Sequence, residues 1–594
     1  MNEEFLKVLQ YLKRRYEAFS VLRIVMQIMA WNRLSTEEGE SLNIPSPRDF
    51  FYTSVSFEKL TTVFKKISLS HPRSFSFVEK IDDSDIVSLL SALIESDFAI
   101  PFEELYSFLF FDRLSRFKTN RPIISYKLGF ENFVSQLLGS FLKDDSSVYF
   151  SFTDIVIPSL LPVSRGKYGM EDTINHDWAV DLYNIIYSAR LDYRKSNPLI
   201  NPAFYNRSAP HLLEEFDYGI VDTFSFMIKE SGNLKDYRAN VDKYNRFRAS
   251  GIHRSTYVNL IEHGLKQVRN ALIVIVPELF LSKTLSVERE IKKYWCGHNL
   301  LESVICLSKN IFSTSFWRIG VVVLNKRKED ETVFMVDGAA EIFYKVADRK
   351  KLLFPDKLLS LVSEKKARDG ISKVFSFEDV KRRNYDLNPA KYPLSSEEEK
   401  FEKIFLNIGE YDLKDIADFI RPIHIPIAKT DNFYTLREVG TDNIPPVGYI
   451  SDFEEKIVDT TRMINPKQFL LPHDILLALR GNVGTVGLMP ESVEEKYIAI
   501  QSLQIIRLRR RDIDPRGLYM YLKTDIVRKW LEKSSAGGVL PRIGLNDLLN
   551  IPVPINKMDY FSGLFDREIS LYREKEKIER EIEGLRKFPI TTEK

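Results

Sequence analysis

The stretch that decides the fold reads FDYGIVDTF over residues 216–224, and the apolar run ALIVIVP follows at residues 271–277. Short, nearly continuous apolar segments of this kind recur at residues 147–152, 219–226, 271–276, 301–307, 320–324 and 333–336. Helical patterns lie between several of them. Apolar strands separated by helices are typical of a mostly parallel sheet that is covered on both faces. We therefore predict a doubly wound α/β domain over residues 126–345.

The chain on either side of this domain has a different pattern. Before it, apolar residues recur at steps of three to five, as in Phe5, Leu9 and Leu12, which is the spacing of a buried helical face. This predicts a helical N-terminal domain over residues 1–125. After it, residues 346–410 are rich in lysine and glutamate, and the run SSEEEKFEK at 395–403 is typical of a solvated helix. We interpret residues 346–410 as a connector.

The C-terminal part divides into two further pieces. Prolines break residues 411–558 into short extended segments, which predicts a mixed α/β domain. Beyond it, leucine and isoleucine recur every seven residues, at Leu564, Leu571, Ile578 and Leu585, among many charged residues. That interval predicts a coiled-coil helix over residues 559–594. Such a short helix needs a partner, in this chain or another.

Composition excludes several classes of protein. The chain of 594 residues carries 85 basic and 83 acidic side chains, so a nucleic-acid-binding surface would have to be local. Two cysteines are too few for a disulfide framework and fit a reducing cytoplasm. The N-terminus has the pattern of a charged helix, and no apolar run reaches the length of about 20 residues that crosses a bilayer. The eight histidines show no metal-ligand spacing. We expect a cytoplasmic protein with no bound metal and no membrane contact.

A doubly wound sheet that binds a nucleotide-like cofactor needs a glycine-rich turn after its first strand. Here no glycine lies between Gly139 and Gly166, so side chains would crowd a backbone that has to approach the cofactor. Glu171 and Asp172 stand where a ribose-binding carboxylate is expected after the second strand. The alternative is that this acidic pair belongs to a surface loop or a helix cap.

Three ordered blocks resemble the methylation subunits of type I restriction–modification systems, which are N6-adenine DNA methyltransferases. These blocks are residues 246–283, which include ALIVIVPELFLSK, residues 299–328 with Ser313-Thr314-Ser315, and residues 374–392. The resemblance implies a Rossmann-like methyltransferase domain. It also implies that residues 221–224 occupy the position of the catalytic tetrapeptide Asn/Asp-Pro-Pro-Phe/Tyr.

In that family the Asn/Asp side chain and the following proline carbonyl bind the amino group of a flipped adenine, and the aromatic residue stacks on its ring. Of these roles only Phe224 is in place, because Val221 has no polar atom and Thr223 replaces a proline. Asp222 supplies a carboxylate only if the loop shifts by one residue. We therefore expect an inactive methyltransferase fold that uses no cofactor. The alternative is an active adenine-N6 methyltransferase that uses S-adenosylmethionine.

Residues 411–588 resemble half of a type I specificity subunit, which is a target-recognition domain followed by a long spacer helix. Four blocks in the family's order carry the likeness: residues 473–489, 499–511, 519–531 and 534–555. Glycine-rich turns within them let backbone N–H groups and arginines approach phosphates, and Arg and Asn also reach base edges. The candidate DNA-binding residues are Arg480, Asn482, Arg507, Arg509, Arg510, Arg511, Lys533, Ser534, Ser535 and Arg542.

These patterns together predict a sequence-specific reader of duplex DNA that is built on an inactive methyltransferase scaffold. The resemblance implies partners from a restriction or anti-phage defence system, such as a nuclease or a translocase. The single recognition domain and the unpaired heptad seam imply a homodimer or a larger assembly through the C-terminal helix. A second alternative is a protein–protein scaffold that does not touch DNA.

Overall fold

The computed structural model describes residues 1–586 except 112–127, 162–165, 174–176, 230–241, 243, 248–254, 284–286, 310, 312–317, 348–349, 429–431, 462 and 535–542. The chain folds as two compact units, Met1–Pro389 and Ala390–Lys594.

In the part of the chain that the structure describes, unit 1 begins with nine helices. They are α1 (Glu3–Arg15), α2 (Ala18–Glu37), α3 (Gly39–Leu42), α4 (Pro47–Phe51), α5 (Phe57–Ile67), α6 (Pro72–Phe75), α7 (Asp83–Glu95), α8 (Phe102–Phe111) and α9 (Leu128–Gly139). Asn2, Ser46 and Ser56 cap α1, α4 and α5 by accepting hydrogen bonds from first-turn N–H groups. The helical character predicted for residues 1–125 is therefore confirmed in the part that the structure describes.

Unit 1 continues as an α/β layer structure. Its strands are β1 (Val148–Ser151), β2 (Tyr168–Asp172), β3 (Leu191–Lys195), β4 (Phe216–Asp222), β5 (Val268–Pro277), β6 (Leu301–Leu307), β7 (Ile319–Asn325), β8 (Thr332–Gly338), β9 (Tyr344–Ala347), β10 (Lys350–Leu353) and β11 (Ser372–Ser376). Its further helices are α10 (Val156–Ser159), α11 (Asp177–Tyr187), α12 (Thr223–Lys229), α13 (Thr256–Gln267), α14 (Glu278–Ser282), α15 (Val287–Gly297), α16 (Pro355–Ser363) and α17 (Phe377–Arg382).

Nine of these strands form one sheet in the order β11-β8-β6-β7-β5-β4-β1-β2-β3. Seven strands run in one direction, and β7 and β11 run against them. The order from β3 to β5 matches the dinucleotide-binding order 3-2-1-4-5, and β7 lies between β5 and β6. The strand order reverses between β1 and β4, where such sheets bind their ligands. The prediction of a mostly parallel sheet is thus confirmed. The two antiparallel strands, β7 and β11, make it a mixed sheet.

Helices cover both faces of this sheet. Phe150 and Ile220 belong to one continuous core that also contains the N-terminal helices. On the other face α13 packs so closely on β4 that a Cβ atom at Gly264 would lie 2.5 Å from Val221 Cγ2. Because a single core joins the helices to the sheet, the border predicted at residue 125 does not separate two cores. Residues 125 and 126 themselves lie outside the described residues.

Two predicted boundaries differ from the structure. The strand predicted at 219–226 ends at Asp222, because the Asp222 side chain accepts a hydrogen bond from Ser225 N and α12 begins at Thr223. The connector predicted over 346–410 contributes to the large sheet, because β11 pairs with β8 through residues 372–376. Its later part, α18 (Ser396–Leu406), belongs to unit 2.

Unit 2 is a mixed α/β unit, and its described residues form three small sheets. Its strands are β12 (Tyr411–Asp412), β13 (Ala417–Ile420), β14 (Phe433–Val439), β15 (Glu454–Asp459), β16 (Ile475–Ala478), β17 (Val486–Leu488), β18 (Tyr497–Ala499), β19 (Leu503–Leu508) and β20 (Pro552–Val553). Besides α18, its helices are α19 (Leu413–Ile416), α20 (Pro515–Leu522), α21 (Asp525–Ser534), α22 (Leu545–Leu549) and α23 (Met558–Arg586). The sheets have the orders β13-β19-β16-β17, β15-β14-β18 and β12-β20.

The helix predicted over residues 559–594 is described as α23. Its first turns pack on α20, and Met558 and Phe565 are buried there. Farther along, the apolar seam is exposed: Leu571 is 55% exposed, Ile578 51% and Leu585 88%. A coiled coil at this seam stays a prediction.

Both cysteines are free thiols. Burial raises the pKa of Cys296 to about 12, and it raises the pKa of the fully buried Cys306 above its usual range. In the described part of the chain no helix is long and apolar enough to cross a membrane. The same residues contain no group of three or more His, Cys, Asp or Glu side chains that could hold a metal ion.

Candidate functional site

The carboxyl ends of β1 and β4 form the edge where a doubly wound sheet of this order binds its ligand. The backbone that leaves β1 turns at Phe152, which has a φ of 57°. That left-handed conformation is the one for which glycine is normally used, since a side chain there is strained. The turn therefore has a glycine-like backbone shape but carries a large aromatic side chain.

The side chain of Phe152 fills space outside the strand ends. Its ring meets the ring of Phe226, from the first turns of α12, at 4.7 Å between centroids and 76° between planes. Both residues are fully buried. Because β1 precedes Phe152 and β4 precedes α12, the two rings meet across the point where the strand order reverses.

Glu171, at the end of β2, lies in a buried hydrogen-bond network rather than on an open edge. One carboxylate oxygen accepts a short hydrogen bond from the Tyr149 hydroxyl, and the other accepts from Ala203 N at 2.8 Å. The Tyr149 hydroxyl also lies 2.8 Å from His263 Nε2. Glu171, Tyr149 and His263 are all fully buried.

Arg246 completes this network and fixes its proton arrangement. Its guanidinium, which can only donate, lies 3.1 Å from His263 Nδ1, so Nδ1 accepts. Burial lowers the pKa of His263, so the neutral imidazole carries its proton on Nε2. The hydrogen bonds therefore all run the same way: Arg246 donates to His263, His263 donates to Tyr149, and Tyr149 donates to Glu171. We name these four residues the Glu171 network.

Other contacts hold the Glu171 network in place. Arg246 Nη2 donates to Leu199 O at 3.0 Å, and its Nε donates to Asp242 Oδ1 at 2.8 Å. Burial and the Glu171 charge raise the pKa of the Tyr149 phenol well above its usual range, so the phenol stays a donor. Asp172, the second predicted carboxylate, is also fully buried, and its carbonyl oxygen accepts from Ser196 N at 2.9 Å.

The tetrapeptide position is buried as well. Val221 packs under α13, and Phe224 belongs to the core that the sheet shares with the N-terminal helices. The Asp222 carboxylate accepts from Ser225 N at 2.8 Å and from Ser225 Oγ at 2.6 Å, which is helix capping at the start of α12. Thr223 Oγ1 donates to Ile275 O at 2.8 Å. These groups serve the fold in this structure.

The described residues do not fit S-adenosylmethionine at this edge. The candidate ribose carboxylates Glu171 and Asp172 are both fully buried, and Glu171 accepts hydrogen bonds from Tyr149 and Ala203 within the fold. The turn that should approach the cofactor by its backbone carries the Phe152 ring instead. The thiols and histidines outside the Glu171 network form no second constellation at these strand ends among the described residues.

In unit 2, Arg480 and Asn482 lie on the tight turn between β16 and β17. Gly481 and Gly484 adopt φ values of +76° and +84°, which requires glycine, and Gly484 N donates to Ala478 O at 3.0 Å. Arg480 and Asn482 are exposed, and their side chains have no hydrogen-bond or ion-pair partner within the described ranges. The turn, which the Gly484–Ala478 hydrogen bond closes, thus exposes the side chains of Arg480 and Asn482 to solvent.

The four predicted arginines 507–511 lie at the opposite end of the same sheet, because β19 runs antiparallel to β16. Arg507 forms a bidentate pair with the buried Asp474 at 2.8 and 2.6 Å. Arg509 donates to Lys414 O at 2.6 Å, and Arg510 pairs with Asp512. Arg511 alone of the four is exposed without a described partner.

The remaining predicted DNA-binding residues lie near the end of α21. Lys533 is mostly buried and lies 3.4 Å from Glu398 Oε1, and Ser534 is buried. Ser535, Gly537, Gly538 and Arg542 lie outside the described residues, as do Ser313, Thr314 and Ser315 of unit 1. Ile543, which follows these undescribed residues, lies beside the β16–β17 turn, since its N–H donates to Leu479 O at 3.1 Å.

Sequence reasoning missed Tyr149, Phe152, Phe226 and His263. Their spacing gives no motif, because a tyrosine in a strand and a histidine in a helix are ordinary core residues by pattern. Arg246 was noticed only as part of a resemblance. The available signal was the absence of glycine after β1, which indicates that other side chains occupy the turn.

The comparisons with known proteins agree with part of the sequence resemblance. Residues 189–401 match the family model of the N-6 DNA methylases. The methylase subunit of the type I restriction enzyme MpnII from Mycoplasma pneumoniae is 28% identical over 158 residues, which cover 26% of this chain and 28% of that protein. Residues 189–401 are therefore similar to the N-6 DNA methylases. The match spans less than a third of the relative's length.

Two solved structures are similar to larger parts of the chain. The type I restriction–modification methyltransferase subunit from Streptococcus thermophilus is 13% identical, with a TM-score of 0.46 over 65% of this chain and 97% of that one. The type IIG restriction endonuclease BpuSI is 10% identical, with a TM-score of 0.43 over 95% of this chain and 74% of that one.

Proposed function

We propose that this protein is a sequence-specific duplex-DNA-binding component of a restriction–modification or anti-phage defence system, built on a catalytically inactive N6-adenine methyltransferase scaffold. The observation that carries the inactive part is the Glu171 network. The Glu171 carboxylate is fully buried and accepts from Tyr149 and Ala203, so a ribose hydroxyl would have to displace these contacts to reach it. The Phe152–Phe226 ring pair supports the same conclusion, since it fills the position of a cofactor-binding turn.

The tetrapeptide position also supports an inactive scaffold. Transfer to an adenine amino group needs acceptors that bind that amine beside a stacking ring. Val221 offers no polar atom, and the Asp222 oxygens accept from Ser225. Phe224 is 2% exposed and packs in the core, so a flipped base has no access to its face.

The first test is binding of S-adenosylmethionine. We expect no heat of binding in calorimetric titration of the full-length protein with S-adenosylmethionine, and no methyl transfer to random duplex DNA. The physical reason is that cofactor entry would have to break the Glu171 network and displace the Phe152 ring. Saturable binding of S-adenosylmethionine together with methyl transfer to DNA would contradict the hypothesis of an inactive scaffold and favour an active methyltransferase.

The DNA-binding part of the proposal rests on unit 2. Arg480 and Asn482 are exposed on a glycine-closed turn, which suits close approach to phosphates and base edges. Arg511 offers a further exposed charge. Because the net charge of the chain is only +2, such local groups rather than the whole surface would attract DNA.

We expect Arg480→Ala to weaken duplex binding and to reduce the slope of log affinity against log salt by about one, because one phosphate contact is lost. Mobility shifts at several salt concentrations measure this. Arg528→Ala is the matched control, since Arg528 is an exposed arginine of the same unit that pairs with Asp525. Flat salt dependence with no shift in the parent protein would instead favour a scaffold that does not bind DNA.

We further propose that other restriction or defence proteins, such as a nuclease or a translocase, act with this chain, and that α23 joins two copies. The exposed seam at Leu571, Ile578 and Leu585 is the support. We expect Leu571→Asp with Ile578→Asp to shift the mass measured by light scattering toward the monomer, because charges in an apolar seam oppose pairing. Arg573→Asp, on an exposed polar position, should leave the mass unchanged. An unchanged mass in the double variant would contradict pairing through α23.

A further inference from the structure

A second concave site lies on unit 1, away from the carboxyl ends of β1 and β4. It is a cavity of about 790 Å³ whose lining includes Lys167, Glu214 and Arg269, which stand at the amino ends of β2, β4 and β5. Its outer wall is the loop at 205–213. This loop is closed by an antiparallel bridge between Tyr205 and Leu213 and by a hydrogen bond of 2.9 Å from Asn206 N to Leu212 O. A volume of this size suits a small organic ligand.

The charge of the cavity is positive. Five cationic side chains line it, together with the two carboxylates of Glu214 and Glu215. Lys167 pairs with Glu214 at 2.7 Å and Arg269 pairs with Glu215 at 3.1 Å, so each lining carboxylate already has a cation. The other lining cations are Arg194, Arg207 and Lys266.

Two of these cations are available to a ligand. Arg207 and Lys266 are exposed, and neither has an ion pair or hydrogen bond to its side chain among the residues that the structure describes. Arg207 lies within the closed loop and Lys266 in the last turn of α13, so they line the cavity from different elements. Two unpaired cations on rigid supports are suited to bind phosphate oxygens.

The cavity also offers aromatic surface. Tyr205, which is 41% exposed, and Tyr244 line it. The Arg194 guanidinium lies 4.4 Å and the Lys167 ammonium 5.3 Å from the centre of the buried Phe204 ring. These contacts, with the ion pairs of Arg194 to Asp192 and of Lys167 to Glu214, hold both cations in fixed positions. An aromatic face beside fixed cations is the combination that binds a base and its phosphates.

We propose that this cavity binds a free nucleoside phosphate, with the phosphates on Arg207 and Lys266 and the base against Tyr205. The cavity lies at the amino ends of β2, β4 and β5, and its wall touches the Glu171 network, since the Arg246 guanidinium lies 5.4 Å from the centre of the Tyr244 ring. Every lining residue belongs to unit 1.

The test is calorimetric titration of the full-length protein with adenosine and guanosine mono-, di- and triphosphates, beside inorganic tripolyphosphate. We expect affinity to rise with phosphate number and to exceed that of tripolyphosphate. Arg207→Ala and Lys266→Ala should each weaken nucleotide binding about 10-fold, as expected for loss of a charge-assisted hydrogen bond. Tyr205→Ala should remove the preference over tripolyphosphate, because it removes the stacking face.

The matched controls are Arg190→Ala and Lys65→Ala, which remove exposed cations of unit 1 outside the cavity lining. They should leave nucleotide affinity unchanged. Absence of nucleotide binding, or equal affinity in the cavity variants and the controls, would overturn the proposal. So would binding of single-stranded oligonucleotides without binding of any free nucleotide.

Discussion

Glu171→Ala is expected to destabilise unit 1 by about 3 kcal/mol, because it leaves buried donors without an acceptor. The fully buried Tyr149 hydroxyl and the part-buried Ala203 N would both lose their acceptor. The effect should pass along the Glu171 network to His263, whose Nε2–H donates to Tyr149. Hydrogen exchange of the β1 and α13 amides in the full-length protein measures the local cost, as faster exchange in both segments.

Two variants separate this effect from a general loss of stability. Glu171→Gln keeps a carbonyl oxygen for one donor, so exchange should be intermediate between that of the parent and that of the alanine variant. Glu364→Ala removes an exposed carboxyl at the end of α16 and should change nothing in β1 or α13. Unchanged exchange in Glu171→Ala would mean that the carboxylate does not hold the network, and the argument for an occupied ribose position would fail.

Arg507→Ala is expected to destabilise unit 2 by about 3 kcal/mol, because it strands the Asp474 carboxylate in the core. Asp474 is 1% exposed on its side chain, and burial already raises its pKa. DNA binding would then decrease because unit 2 loses its structure.

Arg511→Ala should leave stability unchanged and lower DNA affinity with a smaller salt slope, since Arg511 is exposed and has no described partner. Urea denaturation of both variants, beside mobility shifts, distinguishes the two roles.

The pair replacement Arg507→Met with Asp474→Leu tests the assignment further. Apolar residues of similar size often replace a buried ion pair without loss of stability. If Arg507 acts only on the fold, this double variant should recover DNA binding and most of the stability, less the hydrogen bond that Leu471 N donates to Asp474. Recovery of stability with DNA binding still lost would make Arg507 a DNA contact, as the sequence prediction has it.

The sheet could be predicted from sequence because its strands are nearly continuous apolar runs, such as residues 271–277. The end of β4 could not be predicted, because the sequence around Asp222 continues the apolar strand pattern. Only the structure shows that the Asp222 carboxylate caps α12. The network could not be predicted either. Tyr149, Glu171, Arg246 and His263 are far apart in the chain, and only the parallel pairing of β1 with β2 brings the first two together.

The arginines of unit 2 show the same limit. A run of arginines at 507–511 predicts a positive surface, but each role depends on which carboxylates the fold brings near. Antiparallel pairing of β19 with β16 sets Arg507 beside Asp474, at the end opposite to Arg480. The order of charges along the sequence therefore could not show that Arg507 is paired in the fold while Arg511 is exposed.

The two raised thiol pKa values give the protein a practical property. A thiolate, not a thiol, reacts with maleimides and disulfide reagents, and at neutral pH Cys296 and Cys306 stay protonated. A cysteine introduced at an exposed position, such as Asn482→Cys, would then be the site that labels first, with both native cysteines left in place. A fluorophore attached there would report on the β16–β17 turn in an otherwise unaltered chain.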